Sequence, residues 1–235
     1  MARAPALPRL QDLAQDQWGL LTRRQIEEAG IGSTTMERLS SRGGILERVA
    51  TGVYRLVAAP IPDHLGLRAA WLQLSPSTPA WGRTAEQGIV SHRSAASLYG
   101  LGHLPADRHE FTVAQRRQTR RPDVRLHVRP VEDREWIELR GLPVTRPSRI
   151  ASDLLWDHED PESVAQLITD AIRPAYDYPG TFADSLGPHA AQFGLRRGDS
   201  LGLLRWFLDI TGDPERDRWM DEALSHAERA AKAKI

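Results

Sequence analysis

The chain contains no cysteine, which excludes a disulfide framework, cysteine-ligated zinc and a cysteine nucleophile. No uninterrupted apolar run approaches the ~18 residues of a membrane span. The N-terminus, MARAPALPRL, lacks the apolar centre of a signal peptide. A cytoplasmic protein without membrane contact is the expectation. Tandem repeats and low-complexity tracts are absent, and net charge is zero.

The 235 residues suffice for a real core and for two domains or three small ones. A hydrophobic content of 40% and a charged content of 26% are ordinary for a globular protein. The neutral total conceals an asymmetry. Residues 1–58 carry 8 basic and 6 acidic side chains, residues 59–150 carry 14 and 9, and residues 151–235 carry 9 and 16. A basic front and an acidic rear suit two different partners, one of them nucleic acid.

Leu10, Leu13, Ala14 and Trp18 follow the spacing of an amphipathic helix. Thr22 with Gln25 three positions on forms a capping box for a second helix, with Gly30 at its end. Ser33 is placed to cap a third, STTMERLSSR, closed by Gly43-Gly44. Two short apolar runs around Thr51-Gly52 then read as a β-hairpin. Three helices followed by a hairpin within sixty residues is the order of a winged helix-turn-helix. Its third helix enters the major groove and its wing lies along the phosphate backbone. On this reading Met36 and Leu39 turn inward. Ser33, Thr34, Thr35, Arg38, Ser41 and Arg42 face DNA, joined by Arg48, Thr51 and Arg55 from the wing. Arg38 and Arg42 have the chemistry to grip guanine or phosphate, and Arg48 and Arg55 are expected on phosphate.

The segment AAPIPDH marks a boundary. The expected organisation is α+β: a winged-helix domain over 1–58, a linker over 59–64, a small mixed α+β domain over 65–159 and a helical C-terminal region over 160–235. Strands are predicted at HEFTVA and DVRLHVRP, the latter with Val124, Leu126 and Val128 alternating with Arg125, His127 and Arg129. Pro147 opens a helix after GLPVT. Between residues 116 and 129 lie Arg116, Arg117, Arg120, Arg121, Arg125 and Arg129 against a single acid. This run is either a solvated face or a second surface for nucleic acid, phosphate or an acidic partner. Arg196-Arg197 belongs either to a basic loop before a packed helix or to a partner surface. Ser91-His92 reads as a helix start rather than a catalytic pair, because no acidic partner is identifiable. The spacing of His92, His103, His109 and His127 indicates no metal site. Trp71, Trp81, Trp136, Trp156 and Trp206 are assigned to core or domain contacts.

Five stretches, WGLLTRRQIEEAGI, LERVATGVYRL, VSHRSAASLYGL, GLPVTRPSRIASDLL and FGLRRGDSLGLLRWFLD, occur in that order. In this order they resemble the AbiEi family of antitoxins from type IV toxin–antitoxin operons. The resemblance implies an N-terminal winged helix that represses its own promoter. It also implies a following region that counters a cognate nucleotidyltransferase toxin, directly or indirectly. Some proteins sharing this front end resemble nucleases at their C-termini. Here no acidic pair precedes an E-x-K motif, and lysine is confined to Lys232 and Lys234. The expectation is therefore a non-enzymatic antitoxin and autorepressor without a cofactor. The alternative is a stand-alone regulator with a ligand-sensing or oligomerisation domain.

Overall fold

The computed structural model describes residues 6–233. It divides into two compact units, one ending at Gly88 and one beginning at Ile89.

The first unit runs α1 (Ala6–Gln15), β1 (Leu20–Thr22), α2 (Arg23–Glu28), α3 (Ser33–Leu39), β2 (Leu46–Ala50), β3 (Val53–Leu56) and α4 (Leu65–Leu74). The strands form an antiparallel sheet in the order β1-β3-β2. Strand β1 is absent from the sequence reading, since three residues are too short to display a period. Leu10, Ala14, Leu21, Ile26, Ile31, Met36 and Leu46 make the core. The capping box at α2 is present: the Gln25 amide donates to Thr22 Oγ1, and the Thr22 amide to Gln25 Oε1. Gln17 Nε2 donates to Gln25 Oε1 at 2.8 Å and to the Leu20 carbonyl at 2.6 Å, and the buried cluster reaches the segment after α4 through Thr22 Oγ1 to the Pro76 carbonyl and the Ala80 amide to Gln17 Oε1.

The compact unit does not end at the expected linker over 59–64, because α4 packs against the same sheet. Gln73 Nε2 at its end donates to the Gly52 carbonyl at 2.8 Å. Arg83 then caps α4. Its guanidinium donates to the carbonyls of Trp71, Leu72, Ser75 and Thr78 at 2.6–3.1 Å and lies 4.4 Å from the centre of the Trp71 ring. Trp71 is buried and donates through Nε1 to the Gly88 carbonyl.

The second unit holds a five-stranded mixed sheet, β6-β5-β4-β8-β7. Its strands are β4 (Ile89–Val90), β5 (His109–Val113), β6 (Val124–Val128), β7 (Trp136–Leu139) and β8 (Leu142–Thr145). The pairs β5–β6 and β4–β8 are parallel. Arg140 and Gly141, with φ of 53° and 77°, supply the two left-handed residues of a tight β7–β8 turn. Helices α5 (His92–Tyr99), α6 (Pro147–Trp156), α7 (Pro161–Ile172), α8 (Pro179–Leu186), α9 (Ser200–Thr211) and α10 (Arg216–Lys232) complete it. Pro147 does open α6. The helical region expected over 160–235 is not a separate body, since α6, which follows β8 directly, packs on both α7 and α8.

The alternation expected along β6 holds at one end only. Val124 is buried, whereas at the other end Val128 is exposed and His127 is buried. Trp81, Trp156 and Trp206 are exposed rather than core residues, at 58%, 43% and 36%. Among the described residues no helix is long and apolar enough to cross a membrane.

Candidate nucleic-acid interface

Helix α3 is fixed from below. Met36 is 3% exposed and Leu39 half-buried. This leaves Ser33, Thr34, Glu37 and Arg38 exposed and Thr35 half-buried. Gly32, not Ser33, occupies the N-cap, so Ser33 is the first helical residue. The helix stops at Leu39 rather than at Arg42. Ser40 Oγ donates to the Met36 carbonyl at 2.9 Å and Ser41 Oγ to the Arg38 carbonyl at 2.7 Å. These local bonds satisfy carbonyls that a further turn would otherwise use. Ser41 and Arg42 are exposed in the turn that follows. Arg38 sits in the last turn, where a cation complements the helix dipole.

The hairpin is held at its tip. The Gly52 carbonyl accepts from the Arg23 amide as well as from Gln73, both at 2.8 Å. At φ +70° a side chain on Gly52 would be strained, and its Cβ would meet Gln73 Nε2 at 2.9 Å. A register shift between Arg48 and Ala50 bends β2. Arg48 and Thr51 are exposed. Arg55 departs from the expectation. It is 8% exposed, donates to Glu47 Oε2 at 3.0 Å and 2.6 Å, and also reaches the carbonyls of Leu56 and Ala59. Burial and these partners remove it from contact with a phosphate. Among the described residues, Arg38, Arg42 and Arg48 are the arginines of this face with no ion pair.

The run from Arg116 to Arg129 does not form one free basic surface. Arg121 pairs with Asp123 at 2.5 Å, a hydrogen bond that holds this carboxyl below its ordinary range. Arg125 reaches Asp157 at 3.0 Å and Glu110 at 3.7 Å. Arg129 lies 4.9 Å from the centre of the Trp156 ring. Arg117 is also engaged. Arg116 and Arg120 stay exposed in the segment joining β5 to β6, and Arg196 and Arg197 are exposed before α9.

The fold does bring two of the histidines together. Parallel pairing sets His127 opposite Thr112. Thr112 Oγ1 donates to Ser91 Oγ, which meets His92 Nδ1, both at 2.9 Å. Ser91 therefore uses its hydroxyl here and not as a side-chain cap. The His92 and His127 rings stack with centres 3.5 Å apart and planes 14° apart. Burial, then the neighbouring His127, push His92 down to about 2. Glu110 and Asp157 line an adjoining cavity of about 260 Å³ together with Arg93, Arg125 and Glu159. Strand register creates this cluster. A sequence shows that His127 alternates with apolar residues, not which strand lies beside it.

The comparisons with known proteins agree with the front of the chain. Residues 8–57 match the family model described as "Transcriptional regulator, AbiEi antitoxin". That match covers only the front of the chain. It spans α1 to β3 and leaves α4 and the second unit outside the match. Among solved structures, the chain is similar to the RV2827C protein from Mycobacterium tuberculosis. The TM-score is 0.53 at 17% identity, over 92% of this chain and 80% of that one. At this identity the likeness is one of fold. The search of curated proteins returned no match.

Proposed function

We propose that this AbiEi-type chain is a DNA-binding autorepressor and antitoxin whose first unit is a winged helix. The observation that carries the reading is the free face of α3. Ser33, Thr34, Thr35 and Arg38 stand on a helix anchored by Met36, within the segment that matches the regulator family. An exposed arginine without an acidic partner is available to guanine N7 and O6 or to a phosphate. Hydroxyls at the helix N-terminus suit phosphate oxygens. Arg42 and Arg48 add sequence-independent attraction at the helix end and on the hairpin. Repression follows when bound protein occludes the promoter.

In the same reading the second unit counters a nucleotidyltransferase toxin in the cytoplasm, and no reaction is assigned to the chain. Its support is the family of the front segment, with the acidic excess of residues 151–235 (9 basic against 16 acidic) as a surface unsuited to DNA. The test has two arms. Titration of the protein's own upstream DNA against an unrelated fragment is expected to give clear preference for the former. Equal weak binding to both removes the repressor. Co-expression with the neighbouring nucleotidyltransferase gene is expected to restore growth. Failure to do so, with DNA preference intact, leaves a stand-alone regulator.

A further inference from the structure

We propose that His92, His127 and Asp157 bind one divalent transition-metal ion of the zinc, cobalt or nickel class. One donor atom from each lies within 4.8 Å of the other two. His92 and His127 are 1% and 8% exposed, and Nε2 of each has no hydrogen-bond partner. Buried polar nitrogens are rarely left so, and here two occur side by side next to a carboxylate. Nitrogen and carboxylate donors in this proportion suit zinc and its neighbours rather than magnesium or calcium, which prefer oxygen throughout.

The surroundings supply an outer shell. With the proton on Nδ1, His92 donates to Ser91 Oγ and turns the Nε2 lone pair inward, and Thr112 holds Ser91 in place. His92 itself stands at φ +53°, a left-handed conformation costly for a non-glycine residue and common where a side chain is clamped for a ligand. Glu110 Oε1 lies 3.9 Å from His127 Nε2, placing a second carboxylate beside the donors.

Two adjustments accompany binding. The rings lie in planes 14° apart with centres 3.5 Å apart, so their in-plane lone pairs do not meet at one ion until one ring turns. Arg125 Nη1, 3.0 Å from Asp157 and 3.7 Å from Glu110, is a cation already stationed at the carboxylates. Its side chain is 48% exposed and has solvent to move into. Arg125 therefore competes with the ion for the Asp157 carboxylate.

The experiment is equilibrium dialysis of the full chain, stripped with chelator, against zinc, with cobalt(II) absorption as a second readout. One ion per chain is expected, with visible cobalt bands of a nitrogen and oxygen site. Outer-shell partners change affinity by about 10–100-fold. Asp157→Asn and His127→Gln are expected to exceed that loss, and Arg125→Ala to bind more tightly than wild type. Asp157 is only half-buried beyond the end of α6, so Asp157→Asn remains informative where His127→Gln does not fold. Absence of saturable uptake by the wild-type chain, or uptake unchanged in Asp157→Asn, overturns the site and leaves the histidine pair as packing.

Discussion

The two units treat buried polar atoms differently. In the first, the buried Gln25 side chain and backbone are bonded to both Gln17 and Thr22, and the Arg83 guanidinium donates to four carbonyls around the end of α4. In the second, buried atoms of His92, His127, Asp153, His189 and Trp219 lack partners, whereas Gln87 is the single such case in the first among the described residues. A saturated interior suits a rigid platform whose function lies on its exposed face. Unsatisfied atoms inside a well-packed core mark the places where protonation, or a bound group, has most effect.

The largest expected effect breaks the saturated side. Arg83→Met retains the apolar stem and leaves the carbonyls of Trp71, Leu72 and Thr78 without the guanidinium. Burial already lowers Arg83 to about 10, which reports how far it is withdrawn from water. At about 1–3 kcal/mol for each unsatisfied buried group, a loss of about 3 kcal/mol or more is expected in urea unfolding of the full chain. A loss near zero would mean that water replaces the guanidinium at the end of α4.

The unsatisfied side has a pH signature. Burial lowers His189 from 6.5 to about 4. Above 6.5 the histidine is neutral folded and unfolded, and the native state has its full stability. As pH falls from 6.5 towards 4 the unfolded chain takes up the proton first, so stability declines through that window and levels off below it. The decline attributable to this residue is on the order of 3 kcal/mol. His189→Asn is expected to flatten that part of the profile, and an unchanged slope would assign the acid sensitivity elsewhere.

Smaller effects separate the arginines of the first unit. Arg38→Ala is expected to cost about 1–3 kcal/mol of DNA affinity with relaxed sequence preference. Arg48→Ala is expected to reduce affinity evenly and lower the salt slope by about 1. Arg55→Ala is expected to lower hairpin stability, measured by thermal unfolding, because it takes the guanidinium donor from Glu47 and from the Ala59 carbonyl. A salt slope altered by Arg55→Ala in the folded protein would place that residue on DNA after all.

Much of this was legible in the sequence where the signal is local. The Thr22–Gln25 box, the helix opened by Pro147 and the hairpin around Thr51-Gly52 rest on residues a few positions apart. Signals that depend on neighbours in space were not legible. Arg48 and Arg55 look alike as arginines on two arms of a hairpin, and only the position of Glu47 and the Ala59 carbonyl separates them. The Pro-containing segment after residue 58 resembles a linker, yet Gln73 ties the following helix to the hairpin tip at Gly52. His92 meets His127 through the pairing of β5 with β6, which no spacing rule announces. Val128 and His127 exchange their expected burial for the same reason.

The central claim is that the free face of α3 recognises DNA while Arg55 serves the fold. Its most direct test is an anisotropy titration of the upstream DNA, and of an unrelated fragment, across a salt series. Wild type, Arg38→Ala and Arg55→Ala are compared as full-length folded chains. Arg38→Ala is expected to narrow the preference between fragments, while Arg55→Ala is expected to keep both that preference and the wild-type salt slope. An unchanged preference in Arg38→Ala, with a reduced slope in Arg55→Ala, would contradict it.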